Sequence, residues 1–324
     1  MDRASYVSAV RDVARWSDGA GCAGILVYTD NSLVDPWLVS HLIVECTERL
    51  CPLVAVQPVY MHPYTVAKLV ASLAHLHGRR VHLNMVAGGF RNDLLSLGDD
   101  AEHDERYRRL VEYAQVVMAL LRGESAVTVE GRYYSVAGLR IRPKVPAHLL
   151  PEVLVSGSSP AGREAARALG ATAVKYPQPP GEEAAWMGNG LAGGFGIRVG
   201  IVARETAEQA WRVAHARFPT DRSGQITHRL AVAVSDSQWH GQLSNERHPI
   251  VDLDGDPDPY WLGPFQNYRT FCPYLVGSYD RVARMLRHYM DLGTATFILD
   301  VPHCEEDLAH TAVVFAKAQE MVTT

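Results

Sequence analysis

Three short runs of the chain carry residue types that can do chemistry. The first is Val153-Leu-Val-Ser-Gly-Ser-Ser-Pro-Ala-Gly162. An apolar run ends, Gly157, Ser158 and Ser159 make a turn, and Pro160 suits the first position of a helix. Such a turn aims backbone N–H groups and two hydroxyls at the positive end of a helix, an arrangement that holds phosphate. An ordinary serine helix cap accounts for the same residues equally well. Read as a nucleophile elbow, the run has Ala161 where the second glycine belongs, which weakens a hydrolase. The second run is His103-Asp-Glu-Arg-Tyr107. Four residues apart on a helix, His103 and Tyr107 share one face and could meet a ligand, although a merely exposed face fits the spacing better. The third is Asn84-Met-Val-Ala-Gly-Gly89. It places a polar residue near the end of a buried strand and small residues after it, where a flat ligand could lie against backbone.

Other candidates fail on their chemistry. Asp252-Leu-Asp-Gly-Asp-Pro-Asp258 has the acid content of a calcium loop, but its glycine is misplaced and Pro257 intrudes. His303-Cys-Glu-Glu306 has no second half for a metal site, so no metal is expected. Neither G-x-G-x-x-G nor G-x-x-x-x-G-K-[ST] occurs.

The elements that must position these runs alternate. Apolar stretches at 24–28, 53–57, 81–86, 153–156, 172–176, 197–202 and 296–300 read as buried strands. Helical patterns over 3–18, 36–49, 64–77, 102–122, 161–169, 206–216, 279–292 and 307–321 separate them. Asp35 and Pro36 provide a cap and a first helical residue. Residues 127–136 read as a small hairpin, and 217–277, rich in Pro, Asp and aromatics, as an irregular insertion or lid. Continuous apolar strands between helices imply a parallel sheet covered on both faces. Eight such strands would close a (β/α)8 barrel, and seven are visible. An open doubly wound sheet is the other geometry.

Composition narrows the function. Of 324 residues, 47% are hydrophobic and 21% charged, which is a globular profile rather than a disordered one. Lys and Arg number 31 against 36 Asp and Glu, with no long basic run, so no nucleic-acid partner is expected. No apolar stretch approaches the roughly 18 residues of a membrane span. Five scattered cysteines without a C-x-x-C pair suit a reduced, cytoplasmic protein.

Taken in order, seven runs resemble the bacterial luciferase-like flavin monooxygenases, most of all their alkanesulfonate monooxygenase branch. They are Thr29-Asp-Asn-Ser-Leu-Val-Asp-Pro-Trp37, Leu53-Val-Ala-Val-Gln-Pro58, Leu83-Asn-Met-Val-Ala-Gly-Gly89, His103 to Tyr107, Ser156-Gly-Ser-Ser159, Phe195-Gly-Ile-Arg-Val199 with Ala203-Arg-Glu-Thr206, and Thr296-Phe-Ile-Leu-Asp300. The resemblance implies one luciferase-like (β/α)8 TIM-barrel domain over residues 1–324. The strand that relatives place before their first helix has no counterpart here. It also implies reduced FMN supplied by an NAD(P)H:flavin reductase, and oxygen adding at the flavin C4a to give a peroxyflavin that oxygenates a small molecule. By matched position, Asn84, His103 and Tyr107 would bind the flavin, and Gly157, Ser158 and Ser159 its phosphate. Tyr176 would line the flavin pocket and Arg198 would be an active-site arginine. Homodimers or homotetramers are the expected assemblies. An F420-dependent hydride-transfer enzyme and a non-catalytic flavin-binding homologue are the alternatives on the same barrel.

Departures from the sulfonate branch shape the substrate expectation. Leu33 stands in place of a cysteine, Gly200 in place of a histidine, and Asp300-Val301-Pro302 in place of a tyrosine. The anion-binding loop is replaced by residues 261–274, in which Arg269 is the candidate substitute arginine. Fewer groups remain to compensate the burial of a sulfonate. A simple alkanesulfonate is therefore not expected; a larger substrate with a carboxylate or similar anion, from secondary metabolism, is.

Overall fold

The computed structural model describes residues 2–123, 125–179, 193–233 and 258–321, with backbone alone at 231–233. They fall into two compact units, one of residues 1–173 with 191–193 and the other of 174–190 with 194–324. The acidic run 252–258 lies outside the described residues except for Asp258.

The N-terminal unit opens with helix α1 (Arg3–Gly19), capped by the Asp2 carboxylate, which accepts from the Ala4 and Ser5 N–H groups. Strand β1 (Gly24–Val27) follows, then α2 (Pro36–Cys46) and β2 (Cys51–Val56). As its sequence suggests, α2 starts on Asp35, which accepts from the Trp37 and Leu38 N–H groups. It ends three residues before the expected Arg49, because the Asp18 carboxylate takes the N–H groups of Glu48, Arg49 and Leu50 and draws them out of the helix. Helix α3 (Pro63–His77) leads to β3 (His82–Val86). The short α4 (Arg91–Ser96), which the pattern does not announce, precedes the long α5 (His103–Arg122). The expected hairpin is present as β4 (Val127–Glu130) and β5 (Ser135–Leu139). Strand β6 (Val153–Ser156) and helix α6 (Pro160–Leu169) complete the unit, and β7 (Thr172–Lys175) spans the division. β1, β2, β3 and β6 pair in parallel, in that order. Five of the six β2 residues are buried, as expected for a strand covered on both faces.

In the C-terminal unit, the ten-residue β8 (Phe195–Arg204) is followed by α7 (Ala207–Arg217). The segment 217–277 is not irregular throughout. It holds helix α8 (Arg222–Ala233), short β9 (Tyr260–Trp261), a single turn α9 (Gly263–Gln266), and the start of β10 (Tyr274–Ser278). Gly224 inside α8 hides that helix from the pattern. A Cβ there would meet the Asn267 carbonyl, so the glycine serves close packing of helix on loop. β10 escapes notice because its apolar run is short and follows directly on Pro273. Helix α10 (Tyr279–Asp291), strand β11 (Thr294–Leu299) and helix α11 (Glu305–Glu320) end the chain as expected to within two residues. β8 follows β7 in the sheet order, and its first half also pairs in parallel with β11 and its second half with β10. Among the described residues no helix is long and apolar enough to cross a membrane.

Candidate active site

In the N-terminal unit the structure gathers the predicted phosphate turn and the helical face beside it. Asn84 on β3 is buried, and its register partner on β6 is Leu154. Two residues along, Ser156 donates its hydroxyl to Asn84 Oδ1 at 2.8 Å. That bond fixes the amide orientation, so Nδ2, which has no partner among the described residues, is the group left for a ligand. Tyr107, one turn into α5, donates its hydroxyl to the Ser156 carbonyl at 3.4 Å and also reaches the Ser159 hydroxyl. Burial raises its pKa, so it stays a protonated donor. The His103 ring lies 5.1 Å from that of Tyr107, and its Nδ1 is 2.7 Å from Asp104 Oδ1.

Gly157 is required by contact. A Cβ there would fall onto the Tyr107 hydroxyl and within 3.0 Å of its Cζ. At Gly162 a Cβ would lie 2.9 Å from the Gly157 carbonyl oxygen. Ser159 does cap α6, accepting from the Gly162 N–H at 3.1 Å. Capping therefore does not exclude a ligand: the N–H groups of Ser158 and Ala161 remain without acceptors among the described residues. Asn84, His103, Tyr107, Gly157, Ser158 and Ser159 thus come together around one helix N-terminus, an arrangement that fits an organic phosphate. Ser156, which sequence reasoning passed over, belongs with them. Its place at the end of a buried strand, directly before the glycine turn, was the available signal.

The C-terminal unit holds a second constellation. Asp300, just beyond β11, accepts from the Thr270 hydroxyl at 2.6 Å and the Tyr274 hydroxyl at 2.8 Å. Arg198 on β8 faces the same carboxylate at 3.7 Å and hydrogen-bonds the partly buried Tyr176. Cys272 is buried beside them, and burial with the nearby Asp300 charge pushes its thiol up to about 12. Burial, followed by Asp300, likewise drives the Tyr274 hydroxyl far above its ordinary value. Both are therefore neutral groups at ordinary pH.

Two predicted residues, Tyr176 and Arg198, are thus brought together, and Arg269 is not with them. Tyr268 turns the chain at φ 56°, and the half-exposed Arg269 side chain pairs with Asp221 at 2.7 Å. The next residue but none, Thr270, reaches Asp300 instead. Tyr274 also explains Gly200, since a Cβ on that glycine would run into the Tyr274 ring. Space that a side chain on β8 would need is filled from β10. A Gly200→His variant is expected to lose about 1–3 kcal/mol of stability through overpacking, and Tyr274→Ala in the same chain to restore part of it. Thermal melts of the single and double variants measure this; an unchanged melting temperature for Gly200→His would contradict the packing.

Comparison with known proteins decides the family. The family model described as luciferase-like monooxygenase matches residues 2–296. The chain belongs to the luciferase-like monooxygenases. A curated relative from Niallia circulans, the 4-(gamma-L-glutamylamino)butanoyl-[BtrI acyl-carrier protein] monooxygenase BtrO, is 36% identical over 315 residues, covering 96% of this chain and 90% of its own. Among solved structures, long-chain alkane monooxygenase matches with a TM-score of 0.71 at 16% identity, covering 96% of this chain and 84% of its own. The oxygenating constituent of 3,6-diketocamphane monooxygenase from Pseudomonas putida, in complex with FMN, matches with a TM-score of 0.66 at 14% identity, over 100% of this chain and 96% of its own. This luciferase-like monooxygenase accordingly has the TIM-barrel fold of its neighbours and is an oxidoreductase of the flavin-dependent monooxygenase class. Membership of the sulfonate branch does not follow from these matches.

Proposed function

We propose that the chain is the oxygenating component of a two-component FMNH2/O2 monooxygenase, with residues 1–324 forming one luciferase-like domain in a homodimer or homotetramer. A separate NAD(P)H:flavin reductase supplies the reduced flavin. The substrate is a small amino-acylated acid carried as a thioester on an acyl-carrier protein, rather than a simple alkanesulfonate. The turn between β6 and α6 carries the cofactor part of this reading: a helix N-terminus with Gly157, Ser158 and Ser159, roofed by Tyr107. The substrate part is supported by the relative's activity on a carrier-bound aminobutanoyl group.

Bound here, reduced FMN supplies the activation of O2 for insertion of one oxygen atom into the substrate. The chain's own work is to hold and orient. Ser158 and Ser159, with the free N–H groups beside them, hold the phosphate. Asn84 offers Nδ2, and the Tyr107 and His103 rings offer a flat face with a protonated hydroxyl. In the other unit, Tyr176 and Asp300 hold the Arg198 guanidinium in a fixed position.

The Ser158→Ala/Ser159→Ala double variant tests the cofactor site. FMN affinity, followed by quenching of flavin fluorescence, is expected to fall about tenfold or more, as loss of charge-assisted phosphate bonds requires. Unchanged affinity would remove the phosphate site, and binding of F420 in preference to FMN would replace the monooxygenase reading by hydride transfer. Oxygenation of a carrier-protein thioester, assayed by mass spectrometry with reductase and NAD(P)H, tests the substrate. Sulfite release from alkanesulfonates at comparable rates would overturn it.

A further inference from the structure

In the N-terminal unit a cavity of about 400 Å³ opens beyond the ends of β1 and β2. Its floor includes Ala55, the register partner of Asn84, so it adjoins the strand end assigned to the flavin. Trp37, Met61 and Leu97 give it an apolar wall. Its charged residues among those described are acidic only, Asp30 and Asp35, with no Lys, Arg or His.

The polar groups of this cavity are not equally committed. Asp35 is spent on capping α2, and Pro36 has no N–H, so that helix end already holds its anion. Asn31 is spent as well: it accepts from the Tyr60 hydroxyl at 2.8 Å and donates to the Asp93 carbonyl at 3.0 Å. Asp30 bonds only locally, its Oδ1 accepting from the N–H and hydroxyl of Ser32. The Asp93 carboxylate stands close enough to Asp30 to be raised by burial and then by that charge, and burial with both charges pushes the Tyr60 hydroxyl up to about 12. Neither acid has an ion-pair partner among the described residues. Independently of them, Gln57 is only 8% exposed, lines the cavity, and has no side-chain hydrogen bond among the described residues. Its amide is therefore open to the cavity and available to a ligand.

We infer that this cavity is a substrate subsite for a primary ammonium group, with Asp30 as its countercharge, Asp93 as a second negative charge behind it, and the Gln57 carbonyl oxygen as acceptor. The ammonium supplies three donors and a positive charge, which is what two unpaired carboxylates and an unfilled amide lack. The inference rests on the reading that the cavity beside Asn84 receives substrate. It reverses the expectation of an anionic substrate drawn from the loop arginine.

The test uses the full-length protein and three probes of matched length, 5-aminopentanamide, hexanamide and glutaramate, with dissociation constants from saturation-transfer NMR. Wild type is expected to bind the ammonium probe about tenfold tighter than hexanamide, and glutaramate least. Asp30→Asn is expected to remove most of that preference. Should that variant fail to fold, Asp93→Asn, whose carboxylate makes no hydrogen bond among the described residues, is expected to reduce the preference about threefold. Equal binding of the three probes, a preference untouched by either substitution, or displacement of the amine by FMN would each overturn the subsite. No thioester or turnover enters the measurement. Failure of the carrier-protein reading would leave the preference standing, whereas turnover of a thioester without the preference would remove the subsite alone.

Discussion

Gly157→Ala is expected to abolish tight FMN binding and to lower stability by about 1–3 kcal/mol. The added methyl would occupy the position of the Tyr107 hydroxyl, and the ring behind it is held by a buried helix. Moving the ring away would break its contacts with Ser156 and Ser159, the residues that shape the turn. Flavin titration and a thermal melt measure the two effects. The Gly157→Ala/Tyr107→Phe variant separates them: deleting the hydroxyl relieves the worst contact, so stability recovers more than affinity does. Full flavin affinity in Gly157→Ala would mean that the flavin does not use this turn.

Asp300→Ala is the second large loss expected. The carboxylate is largely buried and receives Thr270 and Tyr274 while facing Arg198. Its removal leaves a buried guanidinium without its carboxylate and two hydroxyls without their acceptor. Breaking a buried pair in this way costs about 3–5 kcal/mol. Denaturant unfolding measures the loss. Asp300→Asn, which keeps an acceptor for both hydroxyls but not the charge, is expected to be milder in stability and still impaired in oxygenation. A stable and fully active Asp300→Ala would show that Arg198 needs no partner from this strand end.

The two predictions differ in how much of them the residue order already carries. Gly157, Ser158, Ser159 and Tyr107 were legible because a strand end, a turn and a helix start are contiguous, and because helical spacing set His103 beside Tyr107. Burial of β2 and β3 was legible for a similar reason, as continuous apolar runs. The second constellation was not. Arg198 lies on β8 and Asp300 just beyond β11, strands that pair only in the folded chain, and Gly200 looks like a missing group until Tyr274 is seen filling its space. Arg269 illustrates the limit of matching by position. Its neighbour Thr270 points inward while Arg269 finds Asp221, a choice set by the backbone turn at Tyr268 rather than by residue type. Asp30 and Gln57 lie within runs that the sequence singles out, but that Asp30 has no ion-pair partner and Gln57 no side-chain hydrogen bond among the described residues is a fact of packing alone.

The double pairing of β8 has a consequence for how the chain is made. β1, β2 and β3 find their partners soon after synthesis: Gly24 pairs with Cys51 and Leu53 with His82. β8 has β7 before it in the sheet, but its remaining pairing must wait, since Gly200 pairs with Tyr274 and Phe195 with Thr294. Until the last part of the chain has left the ribosome, a ten-residue apolar strand has neither of these neighbours. Such late, long-range pairing is slow, and an incompletely paired strand of this kind invites association with other copies. Chains cut short before β10 would therefore be lost to aggregation rather than accumulate as inactive monomers, and the Arg198–Asp300 pair would be among the last features of the molecule to exist.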